Sequence, residues 1–319
     1  SLLIPATCMG EEIVLKLGTQ AQASSDWIGY LDRVNTRLGE LSGGTMRIEI
    51  ALGGQLGSNA EHWAQMNAGT LDLFAQGCDA PSVAPGGKDF DIVNLPFLFD
   101  DVDHWHRFLK SDIFAEMNAK FSEKTDVVYV GHLADIAPRA LTTGKVPVYK
   151  VSDLKGLVIR VPGSALQTQV WADFGANPTQ SSVAELMEGL QTGRYDGQDN
   201  GLGVINEGFF DYQKYYMELD HTYQGVSVYA SGKTWNKLSA EQQGWLTQSV
   251  DEIGSQIVDE LWSVKLVSDR EKLASMANLT IIPEEIDRQS FIDVIDSKIP
   301  VYEGKFFSAG LYERIRALK

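Results

Sequence analysis

Gly156–Thr179 reads GLVIRVPGSALQTQVWADFGANPT. Leu157, Val158 and Ile159 run apolar, pass through Arg160 and resume at Val161. A continuous Val/Ile/Leu run of this kind predicts a strand buried on both faces of a parallel sheet. Pro162 and Gly163 end the strand, Ser164 supplies an N-cap, and the helix that follows stops near Gly175. Arg160 is the exception in the run. Its guanidinium stays charged, and desolvating it without a counter-charge costs several kcal/mol. The counter-charge is either an acidic residue of this chain or an anion from outside.

The same strand–helix alternation extends towards the N-terminus. EIVLKLGTQ reads as a strand and SDWIGYLDRVNTRLGEL as an amphipathic helix with Trp27, Leu31, Val34 and Leu38 on one face. TMRIEIAL, a helix around AEHWAQMNAG closed by Gly69, and LDLFAQG complete a βαβαβ order, which predicts a parallel sheet with helices on both faces. NLPFLFDDVDHWHRFL reads as a proline turn and a helix capped by Asp100 or Asp101, and VVYVGHLA as a further strand. Beyond Arg139 the Thr142–Gly144 stretch reads as a turn. SSVAELMEGLQTG is a helix with a Ser182/Glu185 capping box, and RYDGQDNGL after it is turn-rich. VSVYASG is a late strand. From Ser239 to about Met276 no proline interrupts Leu246, Val250, Ile253, Ile257, Leu261 and Val264 at helical spacing. That predicts one long helix, or two nearly collinear ones, on the order of 50 Å long and bridging two lobes.

With 319 residues the chain is long enough for two lobes, each with its own core. Its 43 acidic against 27 basic residues, a net charge of −16, argue against nucleic acid and anionic membranes as partners. No apolar stretch approaches the roughly 18 residues of a membrane span, so no direct membrane insertion is expected. An anion would have to be held locally, by particular arginines. SLLIPATCMG reads either as the remnant of a cleaved export signal, as vector-derived, or as an ordinary terminal arm. Two cysteines, Cys8 and Cys78, leave a disulfide open.

No catalytic motif stands out: GxSxG, HExxH, a P-loop and CxxC are all absent. GLGVINEG at 201–208 places its third glycine too late for a dinucleotide fingerprint. Histidines 62, 104, 106, 132 and 221 are scattered, and the two in HWH do not share a helix face. They read as ordinary core or surface histidines. Neither an enzyme, nor a metal site, nor a cofactor is expected.

Several blocks together resemble the substrate-binding proteins of TRAP transporters, the DctP family. They are GGQLGSNAEHWAQMNAGTLDLFAQG, NLPFLFDD, RALTTGKVPVYKVSDLKGLVIRVPGS, GANPT, AELMEGLQTGRYDGQDN and the FFDYQKY run, in that order from about Glu12 to the last residues. The resemblance implies an α/β periplasmic binding protein fold of two lobes. Each lobe is a mainly parallel sheet flanked by helices, a ligand cleft lies between them, and the long helix bridges both. Lobe I is expected at 11–136 plus 226–265 and lobe II at 137–225 plus 266–319. The implied role is a periplasmic receptor that captures a small organic acid by cleft closure. It delivers the acid to the small and large integral membrane subunits of an ion-gradient-driven TRAP transporter. A sensor of the same fold, presenting its closed form to a signalling receptor, is the alternative.

By the same resemblance Arg160 is the arginine for the ligand carboxylate, and Arg139, just before Leu-Thr-Thr, is the second arginine. Asn200 in DGQDN orients the ligand, Gln20 after the first strand is a more variable cleft position, and Gly77 sits where the third strand meets the cleft. Val183 stands where many relatives carry an aromatic ring, and Gly201 where proline usually follows the asparagine. Both departures leave the identity of the acid open. Arginine rather than lysine suits the role, because a planar guanidinium holds a carboxylate through two parallel bonds.

Overall fold

The computed structural model describes residues 12–23, 25–205, 208–282 and 286–318. Its strands are β1 Ile13–Gly18, β2 Met46–Ala51, β3 Leu73–Gly77, β4 Val127–Ile136, β5 Arg139–Thr143, β6 Val158–Val161, β7 Asn177–Gln180, β8 Gly197–Gly201, β9 Tyr215–Met217, β10 Gln224–Ser231 and β11 Thr280–Ile282. They form two sheets, ordered β2-β1-β3-β10-β4 and β11-β9-β5-β8-β6-β7. The packing divides the chain into two units. One takes the chain up to Gly77 with Phe121–Ala134 and Val226–Val258; the other takes Cys78–Lys120, Asp135–Gly225 and the chain from Asp259 on.

In the first unit the expected βαβαβ order appears as β1 pairing in parallel with both β2 and β3. β10 then adds on antiparallel to β3. Leu31, Val34 and Leu38 of the helix Asp26–Leu41 are buried, as their spacing predicts. The helix Asn59–Ala68 is closed by Gly69 at φ +76° and buries Trp63. That ring meets Phe74, Phe121 and Tyr229 edge-on at 4.7, 5.0 and 5.2 Å, arrangements that aromatic quadrupoles favour.

In the second unit the opening stretch folds as its sequence predicts. β6 pairs in parallel with β7 and β8, and Ser164 accepts the Gln167 amide at 3.0 Å to cap the helix Ala165–Asp173. Two expectations fail. Thr142 and Thr143 are not in a turn: RALTT is strand β5, buried throughout. RYDGQDNGL is not merely turn-rich: Gly197–Gly201 is β8, buried at every position and laddered to β5 on one side and β6 on the other. Glycine, Asp and Asn favour turns in isolation. Here a two-sided ladder overrides them, with Asn200 bonded to Gln198 and Asp199 to Arg139.

Residues 78–120, expected in lobe I, pack with the second unit, and the boundary in the long helix falls after Val258. Phe99, Trp105 and Phe108 form an aromatic cluster with centroids 5.2 to 5.9 Å apart. Asp101 caps the helix Val102–Leu109 by accepting the His104 amide at 2.7 Å. The HWH histidines are structural: His104 Nε2 lies 2.9 Å from the Ile315 carbonyl and His106 Nε2 lies 2.6 Å from Asp135. The expected long helix runs Ala240–Glu260, passes through a π-helical turn at Leu261–Lys265, and continues as Leu266–Ala274. Gly254 lets it seat on β4, because a Cβ there would stand 2.4 Å from the His132 carbonyl oxygen. Among the described residues no helix is long and apolar enough to cross a membrane. Cys78 is buried; Cys8, and with it the disulfide question, lies outside the described residues.

Candidate functional site

In the second unit β8 lies between β5 and β6. Arg160 of β6 is in register with Gln198 of β8, and Gln198 with Thr142 of β5, so the three side chains share one face. Leu141 opposes Asp199, which puts Arg139 and Asp199 together on the other face. The two arginines consequently meet different fates.

Arg139 is spent on this chain. Its Nε donates to Asp199 Oδ2 at 2.7 Å and its Nη2 to the Asp199 carbonyl at 2.7 Å. The ion pair is almost wholly buried. His221 Nε2 lies 3.1 Å from the same carboxylate oxygen. Burial alone would push the Asp199 carboxyl up, but the charge of Arg139 and the bonds from His221 and Arg139 hold it well below the usual carboxylate range. Arg139 Nη1 reaches Gln224 Oε1 at 3.5 Å, and Gln224 in turn donates to Asn94 Oδ1. The internal salt bridge weighed for an arginine of this sheet therefore belongs to Arg139.

Arg160 has no such partner. It is 2% exposed, yet its only protein acceptor among the described residues is the Ser181 carbonyl. Nε donates to that oxygen at 3.0 Å, and Nη2 donates to it as well. Sequence fixes that carbonyl locally. Ser181 N bonds the Val161 carbonyl at 3.2 Å, and the next residue opens the capping box of the helix Val183–Gln191, with Ser182 N and Oγ each 2.8 Å from Glu185 Oε2. The Ser181 dipole aims the guanidinium without neutralising it. Burial, and then the like charge of Arg139, bring the Arg160 pKa down to about 10, so it stays cationic at neutral pH. Asp199 answers Arg139, and Arg160 is left without an acidic hydrogen-bond partner among the described residues.

Asn200 lies on the Arg160 face of β8, two residues from Gln198. It begins a relay that sequence reasoning missed. Asn200 Nδ2 donates to Gln198 Oε1 at 2.8 Å, Gln198 Nε2 to Thr142 Oγ1 at 2.9 Å, and Thr142 Oγ1 to Gln213 Oε1 at 3.0 Å. Gln213 Nε2 closes the chain on the Tyr212 carbonyl at 3.2 Å. Val183 opens the helix Val183–Gln191; its side chain lies outside the described residues. Gly201 opposes Arg139 in the ladder, and a Cβ there would stand 2.7 Å from the Ala137 carbonyl, so the position has no room for a side chain.

The remaining two residues are in the first unit. Gln20 follows β1, and its Nε2 lies 2.7 Å from the Gly57 carbonyl and 3.1 Å from His62 Nδ1. Gly77 ends β3, paired with Val226. The structure thus brings Arg160, Arg139 and Asn200 onto three adjacent strands of one sheet, and Gln20 and Gly77 onto the ends of two adjacent strands of the other. Sequence reasoning missed Asp199, His221, Gln198 and His62. For Gln198 and Asp199, the available signal was the polar run Gln198–Asn200 set between two glycines.

Residues 17–305 match the family model of the bacterial extracellular solute-binding proteins, family 7. The sialic acid-binding periplasmic protein SiaP of Vibrio cholerae is 29% identical over 79% of this chain and 78% of its own length. The 2,3-diketo-L-gulonate-binding periplasmic protein YiaO of Escherichia coli is 27% identical over 84% of this chain and 80% of its own. Among solved structures, a TRAP periplasmic solute-binding protein from Pseudomonas putida F1 with bound D-glucuronate superposes with a TM-score of 0.83 at 28% identity, covering 96% of this chain and 98% of that one. The chain belongs to family 7 of the bacterial extracellular solute-binding proteins, the DctP family.

Proposed function

We propose that the protein is a periplasmic receptor that takes up one small organic acid through Arg160 and passes it to the membrane subunits of a TRAP transporter. A single observation carries this reading. Arg160 is a buried, cationic guanidinium whose only protein acceptor among the described residues is one carbonyl. A desolvated charge held this way costs the empty protein stability, and an incoming carboxylate removes the cost through paired, charge-assisted bonds. Asp199 keeps Arg139 occupied, so it adds field rather than a second anion site. Gln20, Gly77, Asn200 and Val183 complete the proposed ligand contacts. The protein binds and releases its ligand unchanged, without a nucleophile, metal or cofactor. The relatives supply the class: SiaP is named for sialic acid, YiaO for 2,3-diketo-L-gulonate, and the Pseudomonas putida protein holds D-glucuronate. All three are carboxylates.

A thermal-shift panel of carboxylic acids, amines and neutral sugars tests the reading. An acid present at about 100 times its Kd stabilises the fold by about 2.7 kcal/mol, a clear rise in Tm. A rise with amines or neutral sugars and with no acid would refute it.

A further inference from the structure

We propose that Gln213, Thr142 and Gln198 are positioning residues, which fix from a backbone carbonyl the way the Asn200 side-chain amide faces the ligand. The inference deepens the reading above and rests on Asn200 being a ligand contact. Every residue it uses lies in the second unit. It starts from a group that can only accept, the Tyr212 carbonyl, 3.2 Å from the end of the Gln213 side chain. The Gln213 atom that meets it is therefore the amide nitrogen. Gln213 Oε1 is left to face Thr142 Oγ1 at 3.0 Å and takes its one hydroxyl proton. Thr142 Oγ1 can then only accept, so Gln198 turns Nε2 to it at 2.9 Å. Gln198 Oε1 is left for Asn200, which answers with Nδ2 at 2.8 Å. Four hydrogen bonds thus carry one orientation from Tyr212 to Asn200.

The fold holds each member of this relay in place. Thr142 and Gln198 oppose one another on β5 and β8, and Asn200 lies two residues along the same face. Gln213 comes in from the segment before β9. Its own amide bonds the Phe209 carbonyl at 3.0 Å, and Lys214 N bonds the Thr143 carbonyl at 2.9 Å. Gly144 leaves room for the anchor, since a Cβ there would stand 2.9 Å from the Tyr212 carbonyl oxygen. Thr142 and Gln198 are wholly buried and Gln213 nearly so. Turning any one amide over would set donor against donor or acceptor against acceptor, and a buried polar group left unpaired is costly. Asn200, at the far end, is the most exposed of the four. Its Oδ1 and second N–H have no partner among the described residues.

The result is a polar contact that is ordered before the ligand arrives. A free amide exchanges its two ends by rotation and loses that freedom on binding, whereas a locked one has already lost it in folding. Asn200 offers one donor and one acceptor in fixed places. An acid that matches them gains affinity without any further contact.

Calorimetric titration tests the proposal, with the acid that the wild type binds most tightly in the thermal-shift panel, D-glucuronate, succinate and D-erythronate among them. The variants are Thr142→Val, Thr142→Ser, Asn200→Ala and the double variant Thr142→Val with Asn200→Ala. Valine keeps the shape and removes the hydroxyl; serine keeps the hydroxyl. Thr142→Val should bind more weakly by about fivefold to tenfold, the worth of one net hydrogen bond, and Thr142→Ser should recover most of that. In the Asn200→Ala background Thr142→Val should change affinity by less than about twofold, because its effect runs through Asn200. Gln213→Met breaks the relay one step further out and should repeat the pattern, should Thr142→Val fail to fold. A purely structural role would lower affinity equally in both backgrounds. That result, unchanged affinity in Thr142→Val and Gln213→Met, or Asn200→Ala binding as tightly as wild type, would overturn the proposal and leave the Arg160 reading standing. If no acid of the panel binds the wild type, the carboxylate reading fails and this one falls with it.

Discussion

Arg139 is predicted to be the arginine that the fold cannot spare. Arg139→Leu removes the counter-charge of Asp199, whose side chain is 0% exposed. Among the described residues Asp199 Oδ1 has no hydrogen-bond partner, so the truncation would leave the carboxylate, among those residues, the His221 contact at 3.1 Å. Breaking one side of a buried pair costs about 3–5 kcal/mol. For a unit of about 200 residues, each kcal/mol moves Tm by about 2–4 °C, so the apo protein should melt roughly 6–20 °C lower. The double variant Arg139→Leu with Asp199→Leu removes both charges and should recover most of the loss, because a packed apolar pair often equals a buried ionic one. Thermal denaturation followed by circular dichroism, without ligand, measures both. An apo Tm within a degree of wild type for Arg139→Leu would refute the reasoning.

The depressed carboxyl of Asp199 sets a pH dependence. Its contribution is fully present above the unfolded value of about 3.9 and is lost as pH falls through the lower folded value. The Tm gap between wild type and Asp199→Asn should therefore stay constant above about pH 5 and shrink progressively below pH 4; a gap as large at pH 2 as at pH 7 would contradict the assignment. Gly254→Ala should destabilise the first unit by about 1–3 kcal/mol, although alanine normally gains up to about 1 kcal/mol over glycine in a helix. The 2.4 Å approach to the His132 carbonyl decides the sign. A raised Tm would show that the helix Ala240–Glu260 can shift off β4 at little cost.

The opening strand was legible because Leu157–Val161 is apolar on both sides of one charge and ends on Pro-Gly. So was the question it raised about Arg160. The answer was not legible, because the guanidinium is aimed by a backbone carbonyl, and carbonyls leave no mark in a sequence. β8 escaped notice for a different reason. GQDNG has the composition of a turn, and its strand character comes from ladders to β5 and β6 that lie far away in the chain. That error hid Asp199, and with it the salt bridge that separates the two arginines. His62 looked like one scattered histidine, since its contact with Gln20 spans 42 positions. The block 78–120 was misplaced because element order alone does not say which of two cores an aromatic cluster joins.

The central claim is that Arg160 is kept for a carboxylate from outside. Its most direct test is titration of Arg160→Ala with whichever acid raises the wild-type Tm. Loss of a desolvated, charge-assisted pair predicts an affinity lower by about 2–5 kcal/mol, roughly thirtyfold to several thousandfold. The apo Tm should be unchanged or higher, because the variant no longer buries a guanidinium whose only hydrogen-bond acceptor among the described residues is the Ser181 carbonyl. An affinity within about threefold of wild type, from a variant whose apo Tm has fallen, would make Arg160 a structural residue and contradict the account.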